Sequence, residues 1–333
     1  MKRVCCAVLA ALLLCLSGCG VQSEPEQLSL FAMDTYMSLV AIGDGASDVL
    51  QACSNEINTL EQRLSRTIET SSVAQLNANG SAQLDDDTAA LLQAALRYSA
   101  ETGGAFDVTI APLVELWGIT GDDPRVPAQS EIDALLPLVG SGHVHLEGTA
   151  AALDEGCAID LGGIAKGYAS DKTAELFAES GIFGGFVSLG GNVYVHGVTA
   201  EGQPWNVAIQ DPRNTEAYAC TLRLSDAFVV TSGGYQRYFE QDGVRYHHIL
   251  DPKTGRPAAS GLQSVSVVSQ DDTLADALST ALFVMGLDAG AALYRAGDLA
   301  FEAIFMTDDG SVWITPGLAG QYQSDRPYQV LQP

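Results

Sequence analysis

A series of short strands separated by glycine-rich turns constrains the fold of this chain more than any other feature. Apolar, β-branched and aromatic residues recur in four segments, which are residues 183–198, 205–209, 219–230 and 245–250. Because most connections between these segments are short, neighbouring strands are expected to pair antiparallel. The chain contains 34 glycines, which suit tight turns of this kind.

Amphipathic helices flank this strand-rich region. Residues 48–64 carry apolar side chains at spacings of three and four, as an amphipathic helix requires. Further helices are predicted at 87–102, 132–136, 164–179, 272–285 and 288–296, and further strands at 28–42, 143–146, 158–161, 265–268, 301–306 and 311–314. Runs of helix beside runs of strand predict an α+β fold with mixed, largely antiparallel sheets and packed helices, rather than a doubly wound parallel sheet.

The first eighteen residues have the pattern of a signal peptide. Lys2 and Arg3 precede an apolar stretch at 4–16, which is shorter than the ~20 residues of a membrane-spanning helix. The small residues leading into Cys19 resemble a bacterial lipobox. This resemblance implies cleavage before Cys19, lipidation of its sulfur, and a lipid-anchored protein at the extracytoplasmic face of the bacterial cell membrane. An ordinary secretory signal cut elsewhere is the alternative.

Beyond the signal peptide, residues 19–27 predict a polar tether and residues 28–333 one globular domain. Without residues 1–18 the chain carries 14 Lys and Arg against 41 Asp and Glu, a formal net charge of −27. A chain this acidic is not expected to bind nucleic acid or anionic lipid through its overall charge. An anionic ligand would therefore need a local basic or metal-bearing pocket.

Three cysteines belong to the predicted domain, namely Cys53, Cys157 and Cys220. Their spacing matches neither a CxxC motif nor a zinc site. Cys53 falls on an apolar helical stripe, which is typical of a core position. The sequence is compatible with one disulfide among the three and does not select a pair.

Two adjacent histidines, His247 and His248, precede a turn predicted at 251–255. In an extended strand His248 shares one face with Tyr246 and Leu250, and His247 lies on the other face. A side chain held beside a rigid turn is well placed for a catalytic imidazole. The alternative is a strand whose histidines contact only solvent and backbone.

A second candidate segment, residues 160–168, combines a strand end, a glycine turn and a helix start that carries Lys166. Backbone N–H groups at a helix start attract anions, and glycine allows a phosphate to approach closely. The spacing is not that of a Walker loop, and no GxGxxG occurs in the chain. The alternative is a glycine-rich connection with a solvated lysine.

Asp276 and Thr280 lie four residues apart, so a helix would place both on one face. A carboxylate and a hydroxyl there can supply two hard oxygen ligands for Mg²⁺. Alternatively, Thr280 bonds its own helix carbonyl and Asp276 faces water. Earlier in the chain, Asp107 lies between apolar neighbours and is a candidate polar contact for a ligand, whereas Phe106 and Trp117 are expected to pack.

Six segments occur in the order seen in the ApbE family of bacterial flavin transferases, and the chain therefore resembles that family from about residue 28 to residue 314. The segments are MDT at 33–35, GAFD at 104–107, DLGGIAKGY at 160–168, SGGY at 232–235, HILDPKTG at 248–255 and ADALSTA at 275–281. An ordered set is far more specific than any one segment, and the lipobox fits family members that are lipoproteins.

The resemblance implies a Mg²⁺-dependent enzyme that binds FAD, moves its FMN half onto a threonine hydroxyl of a target protein and releases AMP. Its target would be a flavin-accepting subunit of a membrane redox complex. The implied FAD contacts are Met33, Ala105, Phe106, Asp107, Asp160, Lys166 and Ile249. The implied metal ligands are Asp276, Thr280 and the carbonyl of Gly163, with Ser279 a weaker candidate, and the matched catalytic base is His248.

The chain departs from the family pattern at two positions. Asp34 stands where many members have glycine, and Thr67 stands where some members carry an aromatic residue that shapes the flavin pocket. The departure at Thr67 leaves open an FAD pyrophosphatase that forms FMN and AMP. A second alternative, which the lipobox and tether suit equally well, is a lipoprotein that binds flavin or another anionic ligand without chemistry.

Overall fold

The computed structural model describes residues 24–121 and 123–332, so the predicted signal peptide, Cys19 and the first part of the predicted tether lie outside the described residues. The helices are α1 (Ala46–Leu64), α2 (Ser72–Asn79), α3 (Asp86–Glu101), α4 (Ala111–Trp117), α5 (Gln129–Leu135), α6 (Ala165–Ser180) and α7 (Asp272–Ala296).

The strands begin with the hairpin β1 (Glu26–Ala32) and β2 (Thr35–Ile42). The others are β3 (Ser81–Gln83), β4 (Val144–Glu147), β5 (Ala150–Leu153), β6 (Gly184–Leu189), β7 (Asn192–Gly197), β8 (Trp205–Asp211), β9 (Asn214–Leu224), β10 (Ala227–Gly233), β11 (Tyr238–Gln241), β12 (Val244–His247), β13 (Leu250–Asp251), β14 (Arg256–Pro257), β15 (Leu262–Ser269), β16 (Glu302–Thr307), β17 (Val312–Ile314), β18 (Tyr322–Gln323) and β19 (Gln329–Val330).

Within the described ranges, nine strands form one sheet in the order β1-β2-β6-β7-β10-β15-β16-β17-β19. Every neighbouring pair is antiparallel except β17 and β19. Helices α6 and α7 contribute to the main core against this sheet. The α+β prediction with largely antiparallel sheets is confirmed.

Helix α7 lies at the centre of the core. Its residues Leu278, Ala281 and Leu282 are fully buried, which explains a strongly apolar sequence. Of the helices in the described parts of the chain, α7 is the one long and apolar enough by composition to cross a membrane, and half of its most apolar window is buried inside the protein. Gly286, at a φ of 80°, interrupts it where the sequence predicts two helices.

A smaller three-stranded sheet, in the order β18-β9-β8, forms a second core with part of the large sheet. Buried apolar residues such as Leu222, Ile304 and Ile314 meet there. The site residues discussed below lie outside this second core, which has a structural role.

Several strand predictions need correction, and one of them is the predicted segment 183–198, which forms two strands, β6 and β7. Residues 158–161 form no strand, because the side chain of Asn77 takes the place of a neighbouring strand: its Nδ2 donates to the Ile159 carbonyl at 2.8 Å, and its Oδ1 accepts from the Ile159 N–H at 2.8 Å. The predicted strand 219–230 is two strands, β9 and β10. Asp226, at a φ of 48°, lies in the turn between them.

The cysteines of the described residues, Cys53, Cys157 and Cys220, are free and buried. Burial raises the pKa of Cys53 and of Cys220 to about 12, so both thiols stay protonated. The disulfide that the sequence left open is therefore absent among these residues.

Candidate active site

The close crossing of α6 and α7 positions Asp276. Gly167 on α6 lies directly against α7, since a Cβ there would meet the Asp272 carbonyl oxygen at 2.3 Å and the Asp276 Cβ at 2.8 Å. The Gly167 N–H donates to Asp276 Oδ2 at 2.8 Å. Glycine thus brings the helix start within hydrogen-bond distance of the carboxylate and holds that carboxylate in place.

Lys166 places a positive charge beside this carboxylate. Its Nζ lies 3.8 Å from Asp276 Oδ2 and 3.4 Å from the Gly162 carbonyl oxygen. Asp276 is 4% exposed, and the lysine side chain is half-buried. A cation at the start of α6, next to a glycine turn, is suited to bind a phosphate group.

The residues predicted to bind a metal lie close to this crossing of α6 and α7. A Cβ built on Gly163 would lie 3.9 Å from Thr280 Oγ1 and 3.3 Å from the Phe106 ring. Asp276 uses Oδ2 for the contacts described above, which leaves Oδ1 for a ligand. A carboxylate, a hydroxyl and a backbone carbonyl are the hard oxygen donors that Mg²⁺ prefers.

Ser279, the weaker candidate, has a structural role in this arrangement. Its buried Oγ donates to the Asp276 carbonyl at 2.9 Å and lies 2.8 Å from Ser232 Oγ. The pair joins α7 to the end of β10, so the SGGY segment is tied to the helix that carries Asp276 and Thr280.

Asp272, one turn before Asp276, is a buried acid that the sequence analysis missed. It is fully buried, and its carboxyl oxygens have no hydrogen-bond partner among the described residues. Burial raises its pKa well above the usual range, and the nearby Asp171 and Asp276 carboxylates act in the same direction. Its position on the helix face of Asp276 and Thr280 would have been the sequence signal.

The Asp107 carboxylate orders its own loop. Its Oδ1 accepts from the Thr109 N–H and hydroxyl at 2.9 and 2.6 Å, and its Oδ2 accepts from Ser99 Oγ and the Ser141 N–H at 3.0 and 2.9 Å. Four donors fill the lone-pair positions of a carboxylate. The carboxylate is therefore already held by protein donors, and the FAD contact of Asp107 stays a prediction. Its neighbours Ala105 and Phe106 are buried in the main core.

Asp160 is paired with an arginine that the sequence analysis did not single out as a site residue. Arg66 Nε lies 2.9 Å from Asp160 Oδ2, and Arg66 Nη1 lies 3.2 Å from Glu115 Oε1. Asp160 Oδ1 accepts from the Gly162 N–H at 2.8 Å. Asp160 therefore shapes the glycine turn before α6, and Arg66 brings a second cation near that turn.

His248 follows the last residue of β12, so the predicted strand alternation stops there. Its backbone N–H donates to the Arg237 carbonyl at 3.1 Å, and its Nδ1 lies 3.2 Å from the same oxygen. Because a carbonyl only accepts, Nδ1 carries the proton and the Nε2 lone pair is left for a substrate proton.

The surroundings of His248 keep its imidazole neutral. Burial, together with the charges of Arg237, His247 and Lys166, lowers its pKa from 6.5 to about 4, although the hydrogen bond to the Arg237 carbonyl acts in the opposite direction. Because the charge of Lys166 is among those that lower this pKa, the imidazole lies within electrostatic range of the cation at the start of α6. A neutral imidazole is the form that can accept a proton.

His247, the residue before His248, contacts the backbone and helix α7. Its Nε2 lies 3.1 Å from the Ala258 carbonyl oxygen, and its ring packs edge to face on Phe283 of α7 at 5.4 Å. The imidazole also fills the space above Gly234, where a Cβ would lie 2.8 Å from the ring. These contacts support a structural role for His247.

The predicted turn at 251–255 is present and braced from outside. The Gly255 N–H donates to the Asp251 carbonyl at 2.8 Å, and Trp117 Nε1 donates to the Gly255 carbonyl at 2.7 Å. Ile249, a predicted FAD contact, is buried just before the turn and accepts from the Ala258 N–H at 2.9 Å. The segment that carries His248 is therefore held on both sides.

Met33 lies in the tight turn between β1 and β2. It has a φ of 47° and Asp34 has a φ of 59°, a region that favours glycine. The Met33 N–H donates to Glu61 Oε1 at 2.6 Å. The departure from glycine at Asp34 thus falls at a position whose backbone conformation glycine would suit.

Comparison with known proteins agrees with the family resemblance of the sequence. The model of the ApbE family matches residues 33–305. The chain is 34% identical to the FAD:protein FMN transferase of Vibrio cholerae serotype O1, covering 91% of this chain and 94% of that protein. It is also 34% identical to the FAD:protein FMN transferase of Treponema pallidum, covering 93% of each.

Solved structures give the same result. The crystal structure of the ApbE protein from Thermotoga maritima superimposes with a TM-score of 0.82 at 35% identity, covering 87% of this chain and 96% of that one. Matches in sequence and in structure both extend over most of the chain, and the family model spans the segments that carry Lys166, His248 and Asp276. The chain therefore belongs to the ApbE family.

Proposed function

We propose that this protein is an FAD:protein FMN transferase that attaches the FMN half of FAD to a threonine hydroxyl of a target protein and releases AMP. Relatives with this name match more than nine-tenths of the chain. The observation that carries the proposal is the neutral imidazole of His248, whose Nε2 lone pair is available in the electrostatic neighbourhood of the Lys166 cation.

The proposed reaction is an in-line displacement at the FMN-side phosphorus of FAD. The threonine oxygen forms a new P–O bond, and the P–O bond to the AMP phosphate breaks, so AMP leaves with the bridging oxygen. His248 Nε2 accepts the threonine proton. Lys166 stabilises the negative charge that grows on the leaving phosphate.

The donor set near α6 and α7 fits a magnesium ion. Asp276 Oδ1, Thr280 Oγ1 and the Gly163 carbonyl would hold it, and the acidic Asp276 is kept in place by the Gly167 N–H. When bound, Mg²⁺ neutralises phosphate charge in the transition state. The chain's own part is to position those ligands and to keep the base neutral.

The partner and location follow from the same proposal. The acceptor would be a flavin-bearing subunit of a membrane redox complex, and the lipid on Cys19 would hold the enzyme at the extracytoplasmic face of the membrane. The polar tether at 19–27 would then let the domain reach an acceptor beside it.

The direct test incubates the protein with FAD, Mg²⁺ and a purified candidate acceptor subunit, followed by mass spectrometry of the acceptor. We expect a mass gain of one FMN less water on a threonine, with an equal amount of AMP released. Replacing that threonine by alanine should abolish the gain. Release of AMP without acceptor would instead identify an FAD pyrophosphatase, and absence of AMP in every mixture a flavin-binding protein.

The base assignment is tested with His248→Ala. We expect transfer to fall by about 10²–10⁴-fold while FAD binding is retained, because a general base acts on the chemical step. His145→Ala is the matched control, since His145 is an exposed histidine whose Nε2 contacts Asp154. Transfer at the wild-type rate by His248→Ala would refute the assignment.

A further inference from the structure

One ion pair links two turns, one that carries the predicted FAD contact Met33 and one that lies beside His248. Arg237 Nη1 lies 3.0 Å from Asp34 Oδ2, and Arg237 Nη2 donates to the Asp34 carbonyl at 2.8 Å. These two residues are 203 positions apart in the chain. The pair therefore joins the β1–β2 turn, which carries Met33, to the segment between β10 and β11.

The same arginine holds the catalytic histidine through its main chain. The Arg237 carbonyl accepts the His248 N–H at 3.1 Å and faces His248 Nδ1 at 3.2 Å. Any shift of the Arg237 backbone therefore moves the acceptor that selects the Nδ1–H tautomer. The Nε2 lone pair, on which the base depends, would shift with it.

The side chains of this segment lie at the surface, and its backbone enters the β11–β12 hairpin at Tyr238, which pairs with His247. Gln236, Arg237 and Tyr238 are exposed, and together with Asp34 they border an open cavity of about 380 Å³. An exposed ion pair contributes little to global stability. Here its two hydrogen bonds connect an otherwise exposed segment to a turn that itself has a strained backbone at Asp34.

We propose that Arg237 and Asp34 form a positioning pair, in which the Arg237 side chain holds the β1–β2 turn while its carbonyl aims His248. This inference rests on the proposed function. Neither residue is catalytic, since both act through His248. The aspartate at position 34, where glycine would suit the backbone better, is explained by its contact with the arginine.

The test compares Arg237→Gln, Asp34→Gly and their double variant with wild type in the transfer reaction. Asp34→Gly removes the carboxylate without adding strain to the turn, so a loss of rate in this variant comes from the ion pair and not from backbone strain. Each single variant should lower kcat by about 10- to 100-fold with a smaller change in KM for FAD. The double variant should lose no more than the worse single variant, because the two side chains act as one unit.

The decisive arm places Arg237→Gln in a His248→Ala background. If the arginine acts through His248, the substitution has no further effect there. A loss that persists would show that the guanidinium contacts the substrate directly and would overturn the proposal, as would wild-type kcat in either single variant. Arg237→Lys should restore part of the rate, since a lysine can keep one of the two contacts.

Arg245→Gln is the matched control. Arg245 lies on β12 of the same hairpin, pairs with Glu240 at 3.4 Å and stacks on the Tyr238 ring at 4.0 Å, so its loss perturbs the hairpin surface without touching Asp34. We expect wild-type kcat for this variant. Thermal unfolding of all variants should stay close to wild type, as expected for exposed pairs.

A second measurement does not depend on transfer. Nitrogen-15 NMR of the His248 ring, assigned with His248→Ala, reports which nitrogen carries the proton. We expect the Nδ1–H form in wild type and a mixture of tautomers in Arg237→Gln and in Asp34→Gly; an unchanged tautomer in both would overturn the positioning role. A wild-type protein that shows this tautomer but transfers no FMN would overturn the proposed function alone.

Discussion

Replacement of Gly167 by alanine tests how the α6–α7 crossing builds the metal site. In an exposed helix this change would stabilise by about 1 kcal/mol, because alanine has the higher helix propensity. Here the new methyl carbon would lie 2.3 Å from the Asp272 carbonyl oxygen and 2.8 Å from the Asp276 Cβ. Overpacking costs about 1–3 kcal/mol, and contact with the backbone of a neighbouring helix favours the upper end.

The net expectation for Gly167→Ala is therefore a loss of about 2 kcal/mol, once the gain in helix propensity is subtracted from the packing cost. The added methyl group should also push α6 and α7 apart, which lengthens the hydrogen bond from the Gly167 N–H to Asp276 Oδ2. A displacement of about 1 Å at a positioned group can cost up to about 100-fold in rate. The Mg²⁺ concentration that gives half-maximal transfer should rise as well.

Urea unfolding and a Mg²⁺ titration of flavin transfer measure the two effects. Gly320→Ala is the matched control, because a Cβ at Gly320 meets no atom within 4 Å. The control should keep wild-type stability and the wild-type Mg²⁺ dependence. If Gly167→Ala behaved like the control in both assays, the close crossing of α6 and α7 would not be what positions Asp276.

Two further predictions concern the base and the metal ligand. Burial lowers the pKa of His248 to about 4, so most of its imidazole is neutral at any pH above that value. The acid limb of the pH profile of kcat/KM should therefore have its midpoint below pH 5 rather than near 6.5. The same shift means that the unfolded chain binds more protons between pH 6.5 and 4, so urea unfolding should show stability falling as pH is lowered through that window. A midpoint near 6.5 would contradict the assigned environment. Asp276→Ala should mainly raise the Mg²⁺ requirement in the transfer assay while fluorescence titration still detects FAD, and an unchanged Mg²⁺ requirement would remove Asp276 from the ligand set.

Local sequence patterns predicted much of the fold correctly. The apolar stripe of α1 and the break in α7 near Gly286 are read from neighbouring residues, and both are present. Asp276 and Thr280 lie on one helix, as their spacing of four requires. The turn at 251–255 also follows from its own residues, because an Asx side chain, proline and glycine define it locally.

Errors arose where a distant residue supplied the hydrogen bonds. Residues 158–161 have the composition of a strand, yet Asn77 satisfies the Ile159 backbone with a side chain from α2. The donors from Ser99 and Ser141 to the Asp107 carboxylate are likewise brought to it only by folding. A pattern over adjacent positions carries no information about such partners.

The sequence by itself determined the fold class, because helix and strand periodicity and turn chemistry act over a few residues. It also indicated the family, through six motifs that occur in the family's order. Only the tertiary structure decided how those residues are held. The Gly167 contact with Asp276, the Arg66 pair with Asp160 and the Arg237 pair with Asp34 join segments between 94 and 203 positions apart. Such contacts depend on the packing of whole helices and strands, so they exist once the chain has folded and cannot be read from any local stretch of it.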